Sequence, residues 1–168
     1  MAPIPYGALV VIFWLHFLAT VTWIGSLFAI SVLLLPAADR ALEPSAQLAL
    51  IAAVQKRLEP LAWFCMGLLL VTGLFQLSSN EHYDGFLAIS GQWSLAILAK
   101  HTLAVIMVVV SAVQTWEVLP AIQRTLLRKN KARPGELAAL QQRERILLRA
   151  NLALGMLILA ATAAARAA

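Results

Sequence analysis

The chain carries one cysteine, Cys65, in 168 residues. An intramolecular disulfide and every multi-thiolate metal or iron–sulfur site are therefore excluded. Charge is scarce too, at 12% of residues, about half the ~25% of an ordinary soluble domain. In place of charge there is apolar bulk: 61% of the residues are hydrophobic and the mean hydropathy is +0.82. A water-soluble domain of this size has too little interior to hide so many apolar side chains, so the sequence reads as an integral membrane protein. At ~20 residues per spanning helix, it has room for four spans with ordinary loops and none for a large extramembrane catalytic domain. Any chemistry belongs inside the helix bundle or at its edge. The first six residues lack the basic region and small-residue cleavage site of a secretory leader, so the first apolar stretch is expected to remain as a span.

Four apolar stretches, at about 6–35, 61–77, 93–119 and 146–165, approach or reach bilayer length. They predict an all-α four-transmembrane-helix bundle forming a single domain over 1–168. Pro36 and Pro120 are expected to close the first and third spans, while Pro44 and Pro134 look like first-turn prolines of helices that begin in water. The net charge of +5 does not point to nucleic acid, because most basic residues flank apolar spans and act as topology determinants. Eight lie in the third connection, 121–149 (Arg124, Arg128, Lys129, Lys131, Arg133, Arg143, Arg145 and Arg149). The first connection, 36–57, holds Arg40, Lys56 and Arg57, and the second, 78–91, holds none. That contrast places both termini and the second connection, with Glu81, His82 and Asp84, outside, against the weak opposition of Arg166. His82 is expected to be solvated there, with outside metal ligation as the alternative. A weak internal repeat aligns His16-Phe-Leu-Ala-Thr-Val with His101-Thr-Leu-Ala-Val-Ile and Leu35-Pro36-Ala37 with Leu119-Pro120-Ala121, suggesting a parallel two-helix repeat.

Ionisable groups within the spans are His16, Lys100, His101 and, near the end of the third, Glu117. Burying such groups in lipid is expensive, which marks each as a functional candidate. His16 lies about ten residues into span 1 and His101 about nine into span 3, and the two spans run in the same direction. Two imidazoles at matched depth suit axial ligation of a haem iron; the ordinary role of a lone intramembrane histidine is instead a hydrogen bond to a neighbouring helix. All three of His16, Lys100 and His101 lie toward the outer half, so the site is expected there rather than in the inner half. Thr20 and Trp23 share the His16 stripe, Asn151, Gly155 and Thr162 share one on span 4, and Cys65, Thr72 and Gln76 share one on span 2. These small and polar faces could surround a flat cofactor or serve helix packing. Met66, Met107 and Met156 fall near the midplane on three helices; thioethers suit Cu(I), and methionine is also common core filler. Lys100 either snorkels to water or offers a cation to a carboxylate such as a haem propionate. Trp14, Trp63, Trp93 and Trp116 need no more than places in the aromatic belt.

The stretch Leu15-His16-Phe17-Leu18-Ala19-Thr20-Val21-Thr22-Trp23-Ile24-Gly25, with Lys100-His101 opening a later span, resembles the membrane domain of copper-resistance D (CopD-type) proteins. Ala99-Lys100 and the first-helix histidine are also similar, more distantly, to HemJ-type protoporphyrinogen oxidases. His16 and Lys100 match both patterns, His101 is an addition relative to the HemJ type, and Gly25-Ser26 replaces a frequent Gly-Gly. The resemblance implies a bacterial inner-membrane bundle linked to copper or haem. The expected function is a membrane electron-transfer protein binding haem b through His16 and His101, with Lys100, Thr20, Trp23, Asn151 and Gly155 around it. Its expected partners are the lipid bilayer and other membrane redox subunits or further copies of itself. The alternatives are a copper transport or resistance protein, a cofactor-free accessory subunit and a porphyrin-oxidising enzyme.

Overall fold

The computed structural model describes residues 4–80, 91–127 and 135–167, which form four long helices: α1 (Tyr6–Ala41), α2 (Pro44–Ser78), α3 (Gln92–Leu127) and α4 (Glu136–Ala167). Glu81, His82, Asp84, Arg128, Lys129, Lys131, Arg133 and Pro134 lie outside the described residues. Each helix is long and apolar enough to cross a membrane. The described residues hold no strand, and the protein is an all-α, multi-pass membrane bundle.

Several helix ends follow local rules. Pro44 sits in the first turn of α2, where its missing N–H has no partner to lose. The Gly91 N–H donates to Ser94 Oγ at 2.9 Å and Ser94 Oγ donates back to the Gly91 carbonyl at 2.8 Å, closing the start of α3. Gly135, directly before α4, has φ +84°, a conformation that side chains with a Cβ disfavour.

Pro36 and Pro120 do not end their helices. The chain continues in α-helix to Ala41 and to Leu127, and in both cases a π-helical stretch lies just upstream, at Ala29–Leu34 and at Gln114–Val118. A proline inside a helix lacks the N–H for the usual bond and its ring crowds the carbonyl one turn back. A wider π turn ahead of it relieves both. The two Leu-Pro-Ala segments thus share a backbone device as well as three letters. Pro60 also lies inside α2 without ending it.

Helix α1 packs along α2, α3 packs along α4, and α4 also leans on α1. Helices α2 and α3 meet where the Trp63 and Trp116 rings stack, with centroids 5.2 Å apart, and where Trp63 Nε1 donates to Thr115 Oγ1 at 3.3 Å. The core gathers Trp23, Leu27 and Ile30 from α1, Cys65 and Met66 from α2, Met107 from α3 and Leu148 from α4. Outside it the usual distribution is inverted: Trp14, Phe17, Val21, Phe64, Leu70 and Val105 are exposed, whereas Thr72, Ser111, Glu144 and Asn151 are buried. Such a surface suits hydrocarbon and not water.

At the end of the bundle away from the termini, Arg145 holds Asp39 with two hydrogen bonds of 2.6 and 2.7 Å, and Arg143 holds Glu117 at 2.8 Å. Glu117 is therefore an exposed ion-pair partner, with 58% of its side chain accessible, and not a buried intramembrane charge. The proline that was expected to stop the third span comes after it, and the helix carries it out to meet α4.

Candidate functional site

Two regions of the bundle collect polar groups. The first lies toward the end that bears the termini. There His16 Nδ1 is 2.8 Å from Thr72 Oγ1 of α2, and Thr72 donates its hydroxyl hydrogen to the Leu68 carbonyl at 2.6 Å. The threonine has one hydrogen, so the bond to His16 takes its hydrogen from Nδ1. In the neutral ring the lone pair then sits on Nε2. Gly73 lies beside the ring, where a Cβ would sit in ordinary contact, 3.5 Å from His16 Cε1. His101 Nδ1 is 2.7 Å from the Ile97 carbonyl one turn back on its own helix. A carbonyl only accepts, so His101 likewise carries its hydrogen on Nδ1.

What the structure brings together here is α1 with α2: His16 with Thr72 and Gly73. His101 Nδ1 bonds its own helix, and α1 takes α2 and α4 as its main packing partners. Lys100 is half-buried, and its ammonium stands close enough to His16 and to the Arg166 guanidinium for charge to act between them. Arg166 itself lies over the Phe13 ring, 5.7 Å from its centroid. The Thr20 hydroxyl donates to the His16 carbonyl at 2.8 Å and the Thr162 hydroxyl to the Ile158 carbonyl at 2.8 Å, so both are used within their own helices. Gly155 supports close packing: a Cβ there would meet Ile24 Cγ1 at 3.4 Å and Met107 Cε at 3.6 Å. The three midplane methionines do not form one line. Met66 and Met107 are buried, but Met156 is 56% exposed and turns to the lipid side, because α4 presents Asn151 and Gly155 to the bundle instead.

The second region is in the opposite half, where the sequence placed no site. A cavity of about 80 Å³ lies among all four helices, and its lining includes Trp23, Gln55, Glu59, Cys65, Met66 and Asn151. Asn151 is 1% exposed. Its Nδ2 donates to Ser111 Oγ at 3.1 Å, and its Oδ1 is buried with no hydrogen-bond partner among the described residues. Gln55 Nε2 is in the same condition. Gln55 and Glu59 fall at or before the edge of the second apolar stretch, where they read as connection. Only the shared depth of Asn151 and Gln114 within apolar sequence offered a signal for this cavity. Among the described residues no group of three or more His, Cys, Asp or Glu side chains is placed to hold a metal ion.

A family model described as copper resistance protein D matches residues 52–165. The match takes in α3 with Lys100 and His101 and most of α2 and α4, and it starts after the His16–Trp23 stretch that carried the resemblance in α1. The likeness to HemJ-type oxidases has no counterpart in it. No curated protein and no solved structure matches the chain.

Proposed function

The chain belongs to the copper resistance protein D family, and on that footing we propose that it handles copper in a bacterial inner membrane, taking the ion on Nε2 of His16 and on Nε2 of His101. One observation carries the reading: both imidazoles commit Nδ1 to an oxygen acceptor, Thr72 Oγ1 in one case and the Ile97 carbonyl in the other. A ligating histidine needs its second nitrogen held in this way, which sets the tautomer and the ring orientation. Imidazole nitrogen is a good copper ligand. The test is cell-associated copper, measured by mass spectrometry in cells with and without the expressed protein. His16→Ala and His101→Ala are expected to abolish the expression-dependent difference, and a variant that retains it removes that residue from the reading.

The same pair of imidazoles supports a second reading, haem b held between them for electron transfer. Their depth favours it, since His16 comes ten residues after Tyr6 in α1 and His101 nine after Gln92 in α3. Lys100 would then meet a propionate. An absorption spectrum of the purified protein decides between the two: a Soret band with split visible bands on dithionite reduction belongs to haem, and their absence after reconstitution with haem ends that reading.

A further inference from the structure

We propose that the open cavity in the half of the bundle away from the termini is a separate soft-cation site, which takes Cu(I) on Cys65 Sγ and Met66 Sδ with Asn151 Oδ1 as an oxygen donor. Only the choice of copper among soft monovalent cations rests on the functional reading above; the site itself stands on the cavity.

Four observations converge on it. Cys65 and Met66 both line the cavity, and at 3% and 8% exposure they are shielded from bulk water. Thiolate and thioether sulfur together select Cu(I) over harder ions. Asn151 lines the same cavity with a buried acceptor oxygen that has no partner among the described residues, and leaving such an acceptor unmet is costly. A cation in the cavity would answer it. Among the described residues the lining also contains a carboxylate, Glu59, and no Lys, Arg or His, so the one formal charge it presents to a cation is negative. Finally, Met107 is 0% exposed and belongs to the same buried cluster as Cys65 and Met66, which adds a third sulfur, the second thioether, to that cluster. Binding exchanges one ion for another: Cu(I) forms a bond to Cys65 Sγ, the S–H bond breaks and its proton leaves to water in the cavity. Copper stays Cu(I) and no electron is transferred.

The experiment uses the full chain in lipid nanodiscs, titrated anaerobically with Cu(I) against bathocuproine disulfonate as competitor. The wild-type protein is expected to show a site that Cys65→Ser and Met66→Leu each weaken at least about tenfold, an effect of the size that loss of a metal-site partner produces. His16→Ala and His101→Ala are expected to leave that site unchanged. X-ray absorption of the wild-type protein saturated with Cu(I) should show copper–sulfur scattering, a readout that needs no variant to fold. Wild-type titration by both sulfur variants, or a spectrum with only nitrogen and oxygen neighbours, overturns the proposal and leaves the cavity with water alone. The two readings fail separately. Cells whose copper content ignores His16 and His101 contradict the proposed function while the sulfur site stands, and a protein without the sulfur site contradicts this inference while copper handling stands.

Discussion

Thr72 is the residue on which the state of His16 depends. Its hydroxyl accepts from the imidazole and donates to Leu68, so it orients the ring and fixes the nitrogen that bears the lone pair. Thr72→Val keeps the shape and removes the oxygen. Metal affinity at the histidine site is expected to fall about 10- to 100-fold, as for other partners of ligating histidines, while Thr72→Ser retains it. Cu(I) titration in a Cys65→Ser background isolates this site from the sulfur one. His16 and Asn151 were both legible in the sequence, because polar groups stand out in apolar stretches. That Thr72 and Ser111 are their partners was not, because a hydrogen bond between residues 56 or 40 positions apart leaves no trace in local spacing.

At the scale of the helix, the packing of α4 depends on Gly155. Its Cβ would touch only the ends of flexible side chains, Ile24 and Met107, so Gly155→Ala should change thermal stability little. Gly155→Leu has no space to enter and must push α4 away from α1 and α3. A loss of about 1–3 kcal/mol, the range for overpacked cores, is expected as a lower unfolding temperature in detergent. The α2–α3 seam relies on a different device. The π turn at Gln114–Val118 shifts the helical phase so that Thr115 and Trp116 both reach Trp63. Trp116→Ala should destabilise by about 0.5–1.5 kcal/mol beyond the lost area, with Trp116→Phe recovering part of it, read from the same melting experiment. Helix type and span number followed from hydropathy, whereas the π turns did not, since a proline announces an interruption and neighbouring turns decide whether the helix stops or widens.

For the whole molecule the governing quantity is the uneven distribution of basic residues. Eight Lys and Arg in 121–149 against none in 78–91 lead us to expect the former in the cytoplasm and both termini outside. With cysteines introduced at Glu81 and Lys131 in a Cys65→Ala background, a membrane-impermeant maleimide should label the first in intact cells and the second only after lysis. Reversed labelling overturns the orientation. The ion pairs Arg145–Asp39 and Arg143–Glu117 tie α4 to α1 and α3 at the basic end. Their side chains are a third to a half or more exposed, so each contributes at most about 1 kcal/mol, and Asp39→Asn should lower the melting point slightly.

Composition and the spacing of the apolar stretches determined that this chain is a membrane bundle of four helices, because the transfer of so much apolar surface overrides any local preference. The rarity of polar groups within apolar stretches likewise singled out His16, Lys100, His101 and Asn151. Tertiary structure decided the rest. It bonded His16 to α2 and His101 Nδ1 to a carbonyl of its own helix, left Met156 on the lipid face while burying Met66 and Met107, led Glu117 out to Arg143, and opened a polar cavity in the half where no histidine or lysine had pointed. Each of these outcomes depends on helix rotation and on which helices are neighbours. In lipid, rotation is set by small residues, hydrogen bonds and close packing between helices. A sequence of apolar residues on every face of a helix does not record it.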